Sequence, residues 1–169
     1  MSEPRWLNER EMRAWSGFLE TSALVHRLVE RQVKEDGGLT LVQYEILHWT
    51  NECAPEQRCI TELAELMITS RSGLSYQVAQ LEKAGLLRRE TSADDERRAM
   101  VAITEEGRRL LERTAPGHLE MVRGGLIDLL TDEQITQLAD IMDTARTHLR
   151  AVVPLQPPRR RGSSSRRPG

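Results

Sequence analysis

Residues 60–104 constrain the fold of this chain more than any other stretch. They read ITELAELMITSRSGLSYQVAQLEKAGLLRRETSADDERRAMVAIT. Thr61 is a good N-cap for a short first helix, and residues 67–69 are enough only for a turn. Ser70 can cap a second helix, which ends at Gly85 because glycine adopts the left-handed conformation without strain. The pattern predicts two short helices joined by a tight turn.

The second predicted helix has two unlike faces. Leu74, Val78 and Leu81 recur at i, i+4 and i+7 and form an apolar face. The opposite face contains no carboxylate before Glu82, whereas an ordinary surface helix usually mixes both charge signs. This face favours recognition of an anion, through side chains that can contact phosphates or base edges: Arg71, Ser72, Ser75, Tyr76, Gln80 and Lys83.

A charged hairpin is predicted after Gly85. Residues 86–91 and 98–103 have the composition of strands, and the six residues between them are too polar for a core. Residues 58–60 are expected to add a short strand to this hairpin. The hairpin carries four arginines: Arg88, Arg89, Arg97 and Arg98. Two helices, a turn and a hairpin predict a winged helix-turn-helix, which places its second helix in a DNA groove. An arginine at the hairpin tip can enter the minor groove.

Amphipathic helices are predicted on both sides of this unit. Pro116-Gly117 should kink or break the helix that follows the hairpin, because proline removes one backbone hydrogen bond. The predicted caps of these helices are Asn8 with Glu11, Thr40 with Gln43, Thr104 alone, and Thr131 with Gln134.

The terminal helices have apolar faces but no recognisable second domain to cover them. Burying them against a twin chain is the economical solution, and a homodimer would read a pseudo-palindrome with two recognition helices about 10 bp apart. The expected fold class is mainly α with a small β-wing. The expected organisation is an N-terminal dimerisation helix (1–35), a winged helix-turn-helix DNA-binding domain (39–104), C-terminal dimerisation helices (105–152) and a disordered Arg-rich tail (153–169).

The charge of the chain is unevenly distributed. The net charge is −2, and the five arginines after residue 153 leave −7 on the residues before them. An acidic body limits non-specific DNA binding, because most of its surface repels phosphate. The tail is expected to be solvated or to lie along the DNA backbone. No apolar run approaches eighteen residues and no signal peptide begins the chain, so we expect no membrane contact and a cytoplasmic location.

The sequence offers no chemistry for an enzyme. It contains no glycine-rich phosphate loop and no nucleophile elbow. Its four histidines are scattered, without a pair at i, i+3 or i+4, so we expect no metal and no cofactor. Cys53 and Cys59 flank a loop, and two thiols in a cytosolic chain are usually reduced.

Several motifs in order resemble the MarR family of bacterial winged-helix regulators. They are GLTLVQYEIL, ITELAELM, TSRSGLSYQVAQLEKAGLL, DERRAMVAIT and EEGRRLL, within a resemblance that extends from about Trp6 to Arg150. Asp95-x-Arg97 followed by Val101-x-Ile103-Thr104 is similar to the wing motif of the family. The resemblance implies that Asp95 orients Arg97, which enters the minor groove.

The resemblance also implies a DNA site, a twin chain and an effector. Arg71 and Gln80 suit base edges, and Ser72 and Ser75 suit phosphates. The full predicted DNA site is Ser70, Arg71, Ser72, Ser75, Tyr76, Gln80, Lys83, Arg89, Asp95, Arg97 and Arg98. Family members often bind a small aromatic or phenolic molecule between the dimer helices and the winged domain, where this chain is expected to use Trp15, Tyr44 and His48. The expected function is a homodimeric repressor of double-stranded operator DNA that an effector releases.

Two alternatives are open at this point. A disulfide between Cys53 and Cys59 could replace the effector as the signal, in a thiol-based sensor. The winged helix could instead contact an acidic protein partner without specific DNA binding.

Overall fold

The computed structural model describes residues 3–52, 57–91 and 99–153. These residues form a mainly helical fold with a small antiparallel sheet, which confirms the predicted fold class. The elements in chain order are α1 (Glu9–Gly37), α2 (Leu41–Asn51), β1 (Gln57–Cys59), α3 (Ile60–Leu66), α4 (Arg71–Lys83), β2 (Leu87–Thr91), β3 (Ala99–Ile103), α5 (Glu105–Gly125), a 3-10 helix (Ile127–Leu129) and α6 (Asp132–Val152).

The predicted caps set the starts of most helices. Capping boxes open α1, α2 and α6, with the side chain at the N-cap and the side chain three residues later each accepting a backbone N–H. Ser70 Oγ accepts from Gly73 N at 3.2 Å and opens α4. Gly38 ends α1 and Gly85 follows α4, both with positive φ (65° and 75°).

The prediction that Thr61 caps α3 is wrong. The helix begins one residue earlier, at Ile60, because β1 runs directly into it and the extended N-cap residue is Cys59. Thr61 lies inside the helix, where its Oγ1 accepts a hydrogen bond from Arg71 Nη2 at 2.5 Å. Thr61 therefore connects the first turn of α3 to the first turn of α4.

The predicted break at Pro116 is also wrong, because α5 continues through this residue to Gly125. Proline removes one backbone hydrogen bond, but packing against α1 supports the helix on both sides of the gap. Gln32 Nε2 donates to Thr114 O at 3.3 Å and to Asp36 Oδ2 at 2.9 Å. Gly117 faces the same side chain so closely that a Cβ there would lie 2.7 Å from Gln32 Nε2.

The three strands form one sheet in the order β1-β3-β2, both pairs antiparallel. The core lies between this sheet and helices α1 to α5, with fully buried side chains from several elements: Val33, Ile46, Leu47, Leu63, Leu74, Val78, Leu81, Val101 and Ile103. The apolar face predicted for α4 therefore anchors this helix and leaves its other face exposed.

The base of the hairpin joins α4, β2 and α5 at one point. Thr104 Oγ1 donates to Gly85 O at 2.7 Å and accepts from Gly107 N at 3.1 Å, while Thr104 N donates to Leu86 O at 3.1 Å. Gly107 allows this close approach, because a Cβ at this position would lie 2.2 Å from Leu86 O. The end of α4 and the start of α5 are thereby held together.

We expect Gly107→Ala to lower the free energy of unfolding by about 1–3 kcal/mol, because backbone must move to admit the methyl group. Gly124→Ala, in the same helix, is the control, since a Cβ there meets no atom within 4 Å. The control should be neutral or stabilising by up to about 1 kcal/mol. Urea denaturation of both variants measures the difference, and equal stabilities would contradict the close contact.

Candidate nucleic-acid interface and the adjoining cavity

The exposed face of α4 carries the side chains predicted to contact DNA. Leu74, Val78 and Leu81 point into the core. Ser75 is half-buried, and the remaining predicted side chains of this helix and its cap are exposed: Ser70, Arg71, Ser72, Tyr76, Gln80 and Lys83. Of the described residues, none forms a hydrogen bond or ion pair with the side chain of Gln80 or Tyr76. This face therefore presents polar groups that are available to a ligand.

Two contacts that the sequence did not predict hold the surroundings of this face. Arg89 Nε donates to Glu82 Oε2 at 3.0 Å, so the wing strand β2 is connected to the last turns of α4. Gln43 Nε2 donates to Gln77 Oε1 at 3.1 Å and connects α2 to the middle of α4. Gln43 and Gln77 join elements that are distant in sequence, whereas Arg89 and Glu82 join two consecutive elements. No local pattern marks either pair.

Two arginines of the wing, Arg88 and Arg89, form hydrogen bonds with different partners. Arg88 Nε donates to Glu90 Oε1 at 2.8 Å and its Nη1 to Ile103 O at 3.2 Å, whereas Arg89 turns to α4. The predicted DNA contacts Asp95, Arg97 and Arg98 lie outside the described residues, as does Cys53. The roles assigned to these four residues therefore stay predictions.

A cavity of about 720 Å³ lies between the first part of α1 and helices α2, α5 and α6. Most of its wall is apolar, and no lysine or arginine is among the described residues that line it. Its ionisable or polar side chains are Thr21, Ser22, His26, Glu45 and His118.

Burial shifts the pKa values of two side chains that line this cavity, Glu45 and His118. Desolvation raises the pKa of Glu45, opposed by the charges of His26 and His48 and supported by that of Glu30. Desolvation, with a smaller contribution from His48, lowers the pKa of His118. The Nδ1 atom of His118 is buried without a hydrogen-bond partner among the described residues. Burial therefore favours the neutral form of the His118 imidazole.

The three residues predicted to bind an effector lie near the cavity but do not line it. Tyr44 is buried, and its ring centroid is 4.7 Å from that of His118. His48 is half-buried, with its ring centroid 6.4 Å from that of Tyr44. Trp15 lines a second groove between α1 and α6. Their contact with an effector stays a prediction. His26, Glu45 and His118 line the cavity because of how three helices pack, which no spacing in the sequence reveals.

The described residues contain no group of three His, Cys, Asp or Glu side chains placed to hold a metal ion. Cys59 is a buried free thiol. No helix within the described ranges is long and apolar enough to cross a membrane.

His118 should make stability depend on pH. A histidine whose pKa is lowered by folding resists protonation in the native state, so its destabilising effect appears as pH falls below the unfolded value near 6.5. We expect the loss of unfolding free energy between about pH 7.5 and 5.5 to be smaller in His118→Gln than in the parent chain. Urea denaturation at each pH measures this, and parallel pH profiles would contradict the burial effect.

Comparison with known proteins identifies the family. A sequence model of the MarR family matches residues 37–98. Sco3205, a MarR family transcriptional regulator from Streptomyces coelicolor whose crystal structure contains DNA, is 38% identical in sequence to this chain. The structural alignment covers 88% of this chain and 93% of Sco3205, with a TM-score of 0.84. AbsC, a MarR family regulator from the same organism, is 34% identical over 88% and 99% of the two chains, also with a TM-score of 0.84.

A third relative has a ligand in its structure. CouR from Rhodococcus jostii RHA1, bound to p-coumaroyl-CoA, is 27% identical over 76% of this chain and 90% of its own, with a TM-score of 0.68. The extent of these similarities, together with the exposed face of α4 and the β-wing, confirms the resemblance seen in the sequence. This chain belongs to the MarR family of DNA-binding transcriptional regulators and is not an enzyme.

Proposed function

We propose that this protein is a homodimeric repressor that binds a pseudo-palindromic operator and is released by a small-molecule effector. The observation that carries the proposal is the exposed face of α4, which presents Arg71, Tyr76 and Gln80 and is anchored to the core by its apolar side. The DNA complex of the similar Sco3205 supports a DNA ligand for this face.

Some residues of the α4 face would contact base edges and read the DNA sequence, and others would contact phosphates and position the helix. Gln80 has the paired donor and acceptor that match an adenine edge, and Arg71 suits guanine. Ser70, Ser72 and Ser75, with Lys83 and Arg89, would hold phosphates and fix the register of the helix. Asp95, Arg97 and Arg98 would form the minor-groove contact of the wing.

The exposed apolar surface supports a homodimer. No described residue of α6 is buried in the single chain. Trp15 and Phe18 on α1 are each about half exposed, as are Ile141 and Leu149 on α6. A second copy that covered these side chains would remove a large apolar area from water. In this proposal residues 1–35 and 105–152 form the dimer, 39–104 bind DNA, and the Arg-rich residues of 153–169 add a basic tail.

Release of DNA by the effector would follow from a shift in the populations of two conformations of the protein. The cavity lies where α2 begins, and Leu41 lines it. Gln43, two residues after Leu41, accepts a hydrogen bond from Thr40 N in the cap of α2 and donates one to Gln77 of α4. A ligand that favoured one position of this first turn would change the position of α4 and the spacing of the two recognition helices. The ligand-bound relative CouR supports an effector of small-molecule type, here expected to be aromatic.

We expect Gln80→Ala to weaken operator binding by about 1–3 kcal/mol and to relax preference at one base position. Ser72→Ala should weaken binding to all sequences alike, because a phosphate contact carries no base information. The operator is obtained by selecting bound duplexes from a random pool, and competition binding then measures each variant.

Arg123→Ala is the control for these DNA-binding variants. Arg123 forms an exposed ion pair with Asp128 at 2.5 Å, on the far end of α5, so its loss should leave DNA affinity unchanged. A pool from which no two-fold symmetric motif is enriched would overturn the operator proposal. Unchanged binding by Gln80→Ala would support the protein-interaction alternative.

We expect Leu149→Glu to raise the dimer dissociation constant at least tenfold, because a carboxylate would replace an apolar side chain in the interface. Val42→Glu, at an exposed position of α2, is the matched control and should leave the dimer intact. Sedimentation velocity measures both. A parent chain that sediments as a monomer, or a dimer unaffected by Leu149→Glu, would contradict this interface.

A further inference from the structure

We infer that Thr61 is a positioning residue for base recognition, because it holds the guanidinium of Arg71 in place for a guanine edge. This inference rests on the proposed function in assuming that Arg71 reads a base. It adds a specificity-determining residue that lies on α3, outside the proposed DNA-reading helix and outside the predicted DNA site.

The guanidinium of Arg71 is held by a neutral partner. Its Nη2 donates to Thr61 Oγ1 at 2.5 Å, where the first turns of α3 and α4 meet at the surface. Arg88 and Arg89 of the wing are bound differently, since each forms an ion pair with a carboxylate. No carboxylate of the described residues forms a salt bridge with Arg71. Arg71 therefore keeps its full positive charge for DNA while its position is restricted.

The contact leaves the part of Arg71 that recognises a base free. A guanidinium has five N–H groups, arranged so that either of two edges can donate a pair of parallel hydrogen bonds. The bond to Thr61 uses one N–H of Nη2, so one complete edge stays available. Such an edge matches the O6 and N7 acceptors of guanine. Because the side chain is already restricted, it loses less rotamer freedom when it binds.

Buried neighbours fix the separation of the two bonded residues. Ile60 and Leu63 anchor the start of α3 in the core, and Leu74 anchors the start of α4. The turn between the helices is closed by a backbone hydrogen bond from Thr69 N to Ala64 O at 3.0 Å. A change of the hydroxyl group should therefore alter the contact with the guanidinium and leave the backbone of both helices in place.

Two variants of Thr61 test the inference in the full chain. Thr61→Val removes the acceptor and keeps the branched shape, whereas Thr61→Ser keeps the hydroxyl. Arg71→Ala first identifies the base position of the selected operator that Arg71 reads, which we expect to be a guanine preferred by roughly 5- to 150-fold. Competition binding at constant salt then measures the affinity for four duplexes that differ, symmetrically in both half-sites, at this position.

We expect Thr61→Val to lower the preference for guanine at least about threefold, as for the loss of one hydrogen bond, and Thr61→Ser to retain it. Thr136→Val is the matched control, because Thr136 Oγ1 donates to Asp132 O at 2.9 Å within α6 and should not affect base preference. An unchanged preference in Thr61→Val, an equal loss in Thr61→Ser, or uniform weakening with all four bases would overturn the inference. Urea denaturation checks that each variant is folded.

The double variant of Thr61→Val with Arg71→Ala assigns the effect to the contact. Because Thr61 acts through Arg71, removal of its hydroxyl should change base preference less than about twofold once the arginine is absent. A larger further loss would mean that Thr61 contacts the DNA itself and would refute the positioning role.

Failure of the inference and failure of the proposed function give different results. If Arg71→Ala relaxes one base position and Thr61→Val does not, the inference fails and the operator proposal stands. The same holds if a symmetric motif is enriched but Arg71→Ala relaxes none of its positions. If the random pool gives no symmetric motif, the proposed function itself fails.

Discussion

The junction of α4, β2 and α5 is the constraint on which the orientation of α4, the proposed DNA-reading helix, depends. At this junction one hydroxyl, that of Thr104, bonds to Gly85 at the end of α4 and to the first turn of α5. The absence of a side chain at Gly107 lets the Leu86 carbonyl approach that turn. Because these bonds join three elements, α4 cannot change its orientation without moving either the hairpin or α5.

A second set of contacts connects the same helix to α2. Gln43 belongs both to the cap of α2 and to the bond with Gln77, and Leu41 lies between that cap and the cavity. The cavity is therefore next to one of the contacts that hold α4 in place. The proposed effector would act there on a polar contact between carboxamides, which is weaker and easier to rearrange than the buried core beside it.

Local rules predicted most of the fold because most helix ends here are set by side chains within one turn. Asn8, Thr40, Ser70 and Thr131 each cap as expected. The two errors come from tertiary context. The strand β1 runs directly into α3, so Cys59 and not Thr61 is the N-cap residue. Packing against α1 supports α5 across Pro116, so the helix does not break there. The sequence did not predict that Glu45 and His118 line one cavity, because they come to it through the packing of α2 against α5 and not through any spacing along the chain.

The continuity of α5 has a mechanical consequence. As one helix of 21 residues it is about 31 Å long, at 1.5 Å per residue. One end is fixed to α4 by Thr104, and the other end adjoins the exposed apolar surface. A rotation of only about 5° at the distal end therefore displaces the junction by roughly 3 Å. In the proposed homodimer, an unbroken helix would convert a small angular adjustment between the two subunits into a translation comparable to the rise of one base pair.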